Sequence, residues 1–344
     1  MSRRSLTLLI AAVGTAAAIA VSVLVSVPYV ILGPGPTLNT LGKDSSGKPL
    51  ITISGHATYP TSGHLNMVTV SYSGGPGTRL NIFTALTAWL NPDEAVVPES
   101  ELFAPGQSQQ QSQQQDTLEM TSSQQTATAA ALTELGIGYR TQVVVAQAES
   151  GYPAYGVLKA GDVITAVDGQ AVTGPTSLTG LIAAHPAGST LTVTITRSGQ
   201  SRQVKVGTKE SGGRPVMGVQ IEEQFKFPFN VNISVGDIGG PSAGMMFALG
   251  IIDKLTNDDL TGGKFIAGTG EITAAGQVEA IGGIQQKMVG ARQAGAIIFL
   301  TPASNCSDTK GAVPAGLRLV KVSTLSQAVG YLQALAAGKS VPSC

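Results

Sequence analysis

The sequence predicts an α+β protein in three parts: an N-terminal transmembrane helix, a β-rich middle domain, and a C-terminal domain of mixed helices and strands. Three observations predict it. Residues 6–32 carry no charge, residues 142–197 contain short strands separated by glycine turns, and residues 231–300 combine strands with two apolar helices. The length of 344 residues fits about two domains, at roughly 150 residues per domain.

The composition argues against several classes of protein. Lys and Arg number 21, Asp and Glu also number 21, and only 12% of the residues are charged, so there is no basic stripe for a nucleic acid. The three histidines lie far apart without an HExxH pattern, which argues against a zinc hydrolase, and we expect no metal and no cofactor. The two cysteines, Cys306 and Cys344, are too few for a metal cluster, and both a disulfide and a free pair stay open.

The N-terminal apolar run is long enough to cross a membrane. As a helix, residues 6–27 would be about 33 Å long, against a bilayer core of about 30 Å. Arg3 and Arg4 precede the run, so the positive-inside bias predicts a cytoplasmic N-terminus and an extracytoplasmic body. Residues 1–32 are therefore predicted to be a single-pass anchor in the cell membrane. A cleaved signal peptide is the alternative, because alanine-rich residues 16–20 fit a cleavage site.

A membrane-proximal β/α region is predicted over residues 33–135. Alternating apolar and polar residues within 50–73 indicate strands, and residues 81–90 indicate a short helix. The polar, low-complexity stretch 105–116 predicts a loop, and the Ala-, Gln- and Thr-rich stretch 118–135 predicts a helix.

Residues 136–209 predict a compact β-rich unit. Within it, the run LKAGDVITAVDGQAV indicates two strands with a hairpin at Asp168 and Gly169. This run resembles the core of a bacterial PDZ domain, a fold that binds extended peptides or C-termini by adding a strand to a sheet edge. The resemblance suggests that Gly138 and Tyr139 belong to the carboxylate-binding loop. A helix C-cap followed by a connector fits the same residues.

A candidate nucleophile lies in the segment 231–253. The segment predicts a strand, a glycine-rich turn and a helix over 243–255 that is apolar on nearly all faces and therefore buried. Ser242 stands at the N-terminal end of this helix, where unpaired N–H groups and the helix dipole favour an oxyanion hole. A serine that only caps the helix would give the same pattern.

A candidate base lies further along the chain. A helix predicted over 283–294 places Ile284, Lys287, Met288 and Ala291 on one apolar stripe. A lysine that faces the core must find a partner or lose its proton. A lysine at the edge of the stripe, with its amine in solvent, fits the same spacing.

Together the two segments resemble the proteolytic domain of Lon peptidases. The sequence GPSAG around Ser242 matches the nucleophile motif of that family, and TGE followed by IGGIQQK matches its lysine segment. Ser242 and Lys287 are 45 residues apart, close to the family's separation. The resemblance implies a Lon-type proteolytic domain over 212–344, with Ser242 as the nucleophile and Lys287 as the general base. It also implies supporting roles for Thr269, which would hydrogen-bond the lysine, and for Gly240.

The role of general base requires that Lys287 can lose its proton near neutral pH. Lys287 must be neutral near pH 7–8, which needs its pKa to fall by about three units from about 10.4.

The sequence before Ser242 departs from the family motif in one position. Many Lon enzymes carry an acid three residues before the serine. This chain has Gly239 at that position, and Asp237 lies two residues earlier.

The order of anchor, PDZ unit and Lon-like domain resembles the membrane-anchored PDZ–Lon family of Gram-positive bacteria. The resemblance implies a serine endopeptidase that cleaves extracytoplasmic protein or peptide substrates, uses the PDZ domain for recognition, and assembles as a homo-oligomer, a hexamer by family analogy. The alternative is a non-catalytic PDZ adaptor with an inactive Lon-like domain.

Two expectations follow for energy use and for domain order. Lon proteases normally carry an ATPase, but the GKS sequence that ends at Ser340 has Gln333 where a GxxxxGK[ST] loop needs its first glycine, so we expect no use of ATP. A Lon-like domain also needs strands before the nucleophile segment. We therefore expect the PDZ unit to be inserted within one protease domain.

Overall fold

The computed structural model describes residues 3–44 and 46–344. The helices are α1 Arg3–Leu24, α2 Ile82–Trp89, α3 Glu99–Leu102, α4 Gln109–Glu134, α5 Pro175–Ala183, α6 Gly244–Leu255, α7 Ile284–Gln293 and α8 Leu325–Ala336, with a 3-10 helix over Ala303–Thr309. The strands are β1 Ser26–Val27, β2 Tyr29–Asn39, β3 Ile51–Ser54, β4 His64–Ser73, β5 Leu80–Asn81, β6 Ala95–Pro98, β7 Arg140–Ala148, β8 Val163–Val167, β9 Gln170–Ala171, β10 Thr190–Arg197, β11 Gln200–Gly207, β12 Lys209–Ser211, β13 Arg214–Val216, β14 Val219–Lys226, β15 Asn230–Ile233, β16 Phe265–Gly268, β17 Glu271–Ile272, β18 Val278–Glu279, β19 Ile298–Pro302 and β20 Arg318–Val322.

The chain forms two compact units. One unit combines Met1–Ile137 with Phe229–Cys344, and the other is the intervening stretch Gly138–Pro228. We call them the discontinuous unit and the middle unit.

The N-terminal apolar run divides between a helix and a strand. α1 has 22 residues, none of them buried, and is apolar and long enough to cross a membrane. It ends at Leu24, and the apolar residues that follow enter β2, where Val30 is completely buried. The run continues past the helix because β2 lies inside a sheet, and a strand buried there is also continuously apolar.

The discontinuous unit is built on a mixed six-stranded sheet in the order β20-β19-β16-β4-β2-β6. β4, β16, β19 and β20 run parallel, and β2 pairs antiparallel with β4 and β6. In the register, Ile266 of β16 lies between Leu65 of β4 and Ile298 of β19. Strands from both sides of the middle unit therefore build one sheet, as expected for an inserted domain.

α6 is the central helix of the discontinuous unit. Every residue of this helix except Lys254 is buried, which confirms the prediction of a helix apolar on nearly all faces. α4 packs along it. The helix begins at Gly244, with Ala243 as its N-cap, one residue later than predicted.

α4 begins inside the stretch that the sequence predicts to be a loop. The Ser108 side chain accepts from the backbone N–H of Gln111, and the Gln111 side chain accepts from the N–H of Ser108, which is a capping box. Glutamine is a good helix former, so the polar repeat extends the helix toward its N-terminus. The prediction of a loop over 105–116 is wrong from Gln109 onward.

The middle unit is an antiparallel sheet in the order β11-β10-β8-β7-β14, with β9 beside β8. Asp168 and Gly169 both have positive φ, at 46° and 78°, which confirms the predicted hairpin. The unit continues past the predicted end at 209 to Pro228, because β14 pairs with β7 over the whole of its length. Its core is aliphatic and includes Val145, Ile164, Leu178, Val193 and Val206.

Cys306 and Cys344 form a disulfide, which settles the question that the sequence left open. Their Cα atoms are 5.2 Å apart, and 38 positions separate them in the sequence. The bond ties the residues after α8 to the 3-10 helix.

Candidate active site

Ser242 lies in a turn that precedes α6. The backbone carbonyl of Ser242 accepts two hydrogen bonds from the opposite segment, from the N–H of Gly270 at 2.8 Å and from Thr269 Oγ1 at 2.9 Å. The chain therefore holds the serine's own peptide group against the segment between β16 and β17. The half-buried side chain faces a cavity.

Lys287 reaches this serine from α7. The lysine is only 3% exposed, and its Nζ lies 2.8 Å from Ser242 Oγ and 3.4 Å from Thr269 Oγ1. The whole predicted stripe on α7 is buried, which confirms that the lysine faces inward. The structure thus brings together Ser242, Lys287 and Thr269, three residues that the sequence singled out.

Burial sets the protonation of the lysine. Desolvation lowers the pKa of Lys287 to about 8, while the nearby carboxylate of Glu271 acts in the opposite direction. Burial raises the pKa of Glu271 itself, and the charges of Glu279 and Glu119 add to that rise. A substantial fraction of Lys287 is therefore neutral at mildly alkaline pH, when its nitrogen can accept the serine proton.

α4 braces the loop that carries the serine. The N–H of Gly240 donates to the carbonyl of Asp116 at 3.0 Å, and Ser123 Oγ donates to the carbonyl of Pro241 at 2.8 Å. A Cβ on Gly239 would lie 2.5 Å from the Cβ of Asp116, so this position has no room for a side chain. Asp116, which belongs to α4, lies beside Gly239 and lines the cavity over the serine.

A cavity of about 430 Å³ opens over the serine. Its acidic lining residues are Asp116, Glu119, Asp237 and Glu271. Its apolar lining residues include Met67, Val68, Val70, Leu102 and Ile281. Burial raises the pKa of Asp116, and the charge of Glu119 raises it further. The cavity therefore combines apolar and acidic side chains beside the serine.

The predicted peptide-binding residues lie apart from the groove of the middle unit. A cavity of about 410 Å³ is lined by residues of α5 and β14 and by the loop before β14, including Leu178, Ile182, Gly218 and Ile221. Gly138 and Tyr139 do not line it, and the Tyr139 ring packs edge-on against Phe225 and Phe227. Their role in peptide binding stays a prediction. Gly218, which lies directly before β14 and has a positive φ of 78°, was not among the residues predicted to bind a peptide, because it lies beyond the predicted end of the unit at 209.

Comparisons with known proteins find two domains. A PDZ domain model matches residues 113–208, and a model of the Lon protease (S16) C-terminal proteolytic domain matches residues 221–333. Lon protease 1 of Sorangium cellulosum is 33% identical over 118 residues, which cover 33% of this chain and 14% of that protein. Lon protease of Fusobacterium nucleatum is 44% identical over 70 residues, which cover 20% of this chain and 9% of that protein.

Among solved structures, the PDZ domain of an SdrC-like protein from Listeria innocua is 24% identical, with a TM-score of 0.22, over 23% of this chain and 92% of that one. The chain spans about a seventh or less of the two Lon proteases it matches. Ser242, Lys287 and Thr269 all lie within the stretch matched by the Lon model. The chain therefore combines a PDZ domain with a Lon-type C-terminal proteolytic domain, the domain of a serine peptidase.

Proposed function

We propose that this protein is a membrane-anchored, ATP-independent serine endopeptidase, with Ser242 as the nucleophile and Lys287 as the general base. The observation that carries the proposal is the 2.8 Å separation between the serine Oγ and the Nζ of a buried lysine. A neutral Nζ accepts the hydroxyl proton as the oxygen attacks a peptide carbonyl.

The backbone around Ser242 provides groups for the steps that follow attack on the peptide carbonyl. The N–H groups of Ser242 and Ala243, at the positive end of the α6 dipole, are the donors we assign to the tetrahedral oxyanion. Lys287 then returns the proton to the leaving amine, and a water molecule hydrolyses the acyl-enzyme. Thr269 positions both reacting groups, because its hydroxyl donates to the Ser242 carbonyl and accepts from Lys287.

The substrates we propose are extracytoplasmic proteins or peptides that are already flexible. α1 supports the anchor, and the Cys306–Cys344 disulfide supports an oxidising compartment. The groove between α5 and β14 fits an extended peptide added to the edge of the sheet. A single-pass orientation with the N-terminus in the cytoplasm and a hexameric assembly complete the proposal. Cross-linking of the full chain in vesicles tests the assembly.

The test is cleavage of a loosely folded protein by the full chain in lipid vesicles. We expect Ser242→Ala and Lys287→Ala to abolish cleavage, while Lys321→Ala, an exposed lysine of the same unit, keeps it. Near-ultraviolet circular dichroism shows whether each variant is folded. Full activity of folded Lys287→Ala contradicts the base assignment. An inert but peptide-binding wild type favours a non-catalytic adaptor.

A further inference from the structure

α2 carries an apolar face that no other part of the described chain covers. Four large side chains at this helix and its end are exposed: Phe83 at 52%, Leu86 at 53%, Trp89 at 71% and Leu90 at 74%. Because each residue of a helix is rotated by about 100° around the axis, these four side chains lie within a sector of roughly 120°. Ala88, on the opposite side, is buried against Leu80. We call these four residues the α2 apolar face.

The helix that bears this face carries no charge. The stretch from Asn81 to Leu90, NIFTALTAWL, contains no Asp, Glu, Lys or Arg. A helix on a protein surface in water normally has a charged or polar outer face. In α2 the side chain that faces the protein is small, and the side chains that face outward are large and apolar. The exposed side therefore matches a lipid environment better than water.

α2 is held directly beside the end of α1. The N–H of Ile82, the first residue of α2, donates to the carbonyl of Val25, which follows the last residue of α1, at 3.1 Å. The short strands β1 and β5 pair in the same place, with Ser26 opposite Asn81. Because α2 has eight residues, its whole length of about 12 Å lies near the point where the chain leaves α1.

We propose that the α2 apolar face lies in the interface of the lipid bilayer that α1 crosses. The inference rests on the membrane anchoring proposed above. Tryptophan prefers the boundary between acyl chains and headgroups, where its ring is in an apolar layer and its N–H is in a wet one, and Trp89 stands on this face. The apolar surface of α1, which has no buried residue, continues into that of α2.

A second attachment to the membrane changes how the catalytic unit is held. If α1 were the only attachment, the discontinuous unit could rotate about the single point where the chain leaves α1. α2 in the interface fixes a second point, so that the cavity over Ser242 stays at a constant height and angle to the lipid surface. Peptide segments that emerge from the membrane at that height would be the accessible ones.

The experiment uses Trp89 as its own reporter, because it is the only tryptophan of the chain. The full chain is placed in phosphatidylcholine and phosphatidylglycerol vesicles, with brominated acyl chains as the lipid quencher and iodide as the aqueous quencher. We expect brominated lipid to reduce the emission by about twofold or more and iodide to have little effect. Strong quenching by iodide without quenching by lipid overturns the inference.

Two further outcomes separate the possible failures. Protection of Trp89 from both quenchers means that a second copy of the chain covers the face, which also overturns the inference. Failure of the chain to float with the vesicles shows that α1 does not anchor it. In that case the membrane part of the proposed function fails together with the inference, whereas floating chains with iodide-accessible Trp89 refute the inference alone.

A position control uses Tyr59→Trp in a Trp89→Phe background. Tyr59 is 43% exposed and precedes β4, whose first residues pair with the far end of β2, about 36 Å along that strand from α1. We expect this reporter to be quenched by iodide and not by brominated lipid. Quenching by brominated lipid equal to that of Trp89 would overturn the inference, because contact with lipid would then not be specific to the α2 apolar face.

A matched pair of variants tests the face itself. Leu86→Glu places a charge within the α2 apolar face, while Thr87→Glu places the same charge on the next exposed residue, at the edge of the face. Both side chains are exposed, so the fold is retained. We expect Leu86→Glu to abolish most quenching of Trp89 by brominated lipid and Thr87→Glu to keep it. Equal quenching in both variants overturns the inference.

Discussion

Lys287 is an ionisable residue in a place where its charge is costly. Its side chain is 3% exposed, and its hydrogen-bonding contacts are the two hydroxyl groups of Ser242 and Thr269. Hydroxyl groups solvate an ammonium less well than water does, so the neutral form gains in relative stability. Burial destabilises the protonated form of Lys287 and so lowers its pKa. The same burial therefore makes the amine an effective base near neutral pH.

The pH dependence of cleavage follows from that pKa. We expect kcat/KM to rise with pH through an apparent pKa of about 8, because the neutral form of Lys287 is the active one. Rates measured from mildly acidic to mildly alkaline pH on a substrate without titratable groups near the cut would show this rise. A rate that is flat over this range would contradict the assignment of Lys287 as the base.

Stability should respond to the same group with a defined sign. The pKa of about 8 in the folded protein lies below the ordinary lysine value of 10.5, so between these values the unfolded chain binds more protons and stability rises with pH. The cost of burying the charge is fully present below about pH 8. We therefore expect Lys287→Met to be more stable than wild type at pH 7, by about 3 kcal/mol, with the difference shrinking toward pH 10.5.

Urea unfolding of both proteins at several pH values measures this difference. Lys321→Met, which changes an exposed lysine, is the control and should leave the stability unchanged at every pH. A Lys287→Met protein that is less stable than wild type at pH 7 would show that the hydrogen bonds of the amine outweigh its desolvation.

At the scale of elements, α4 determines the shape of the loop before α6. Its Asp116 carbonyl and Ser123 hydroxyl bond to two consecutive residues of that loop, Gly240 and Pro241. A Cβ added to Gly239 would overlap Asp116 of the same helix. The loop can therefore hold its conformation only if α4 stays in place.

Gly239→Ala tests this packing. The added methyl group would overlap Asp116, so we expect a loss of stability of about 1–3 kcal/mol and a clear fall in kcat. Gly330→Ala in α8 is the matched control, because a Cβ there meets nothing within 4 Å and the helix should gain stability slightly. Thermal unfolding and the cleavage assay measure both effects. A Gly239→Ala enzyme as stable and active as wild type would refute the bracing role of α4.

The elements that the sequence predicted well are those with one dominant pattern. The apolar stripe on α7 and the continuously apolar sequence of α6 predicted that both helices are buried, whereas the roles assigned to Ser242 and Lys287 came from the resemblance to Lon peptidases. The start of α4 was missed because its first turns are exposed and polar, so that only the capping box at Ser108 marked them. The groove residue Gly218 was missed because it lies beyond the predicted end of the middle unit.

The whole molecule depends on pairing between distant parts of the chain. Because β16 has β4 as one neighbour, we expect a fragment of residues 229–344 to remain unfolded. A fragment of residues 138–228 has its own sheet and core, and we expect it to unfold cooperatively. Circular dichroism during thermal unfolding tests both fragments. Cooperative unfolding of the C-terminal fragment alone would contradict a single discontinuous domain.

The disulfide contributes to stability at this same scale. It closes a loop with a sequence separation of 38, so we expect its removal in Cys306→Ser/Cys344→Ser to cost about 4 kcal/mol. Urea unfolding with and without reductant measures the cost. Reductant should destabilise the wild type and leave the double variant unchanged. Equal stability of both proteins would show that the loop is held by its other contacts.

The pairing of β4 with β16 also determines the order in which the two units can fold during synthesis. Leu65 meets Ile266 only after the chain between them has been synthesised, and Lys287 follows later still. Contacts of such long sequence separation form slowly, whereas the middle unit can fold from local contacts as soon as it is complete. A chain that ends just after Pro228 therefore contains a complete middle unit but lacks β16, β19, β20 and Lys287, so the sheet of the discontinuous unit cannot form.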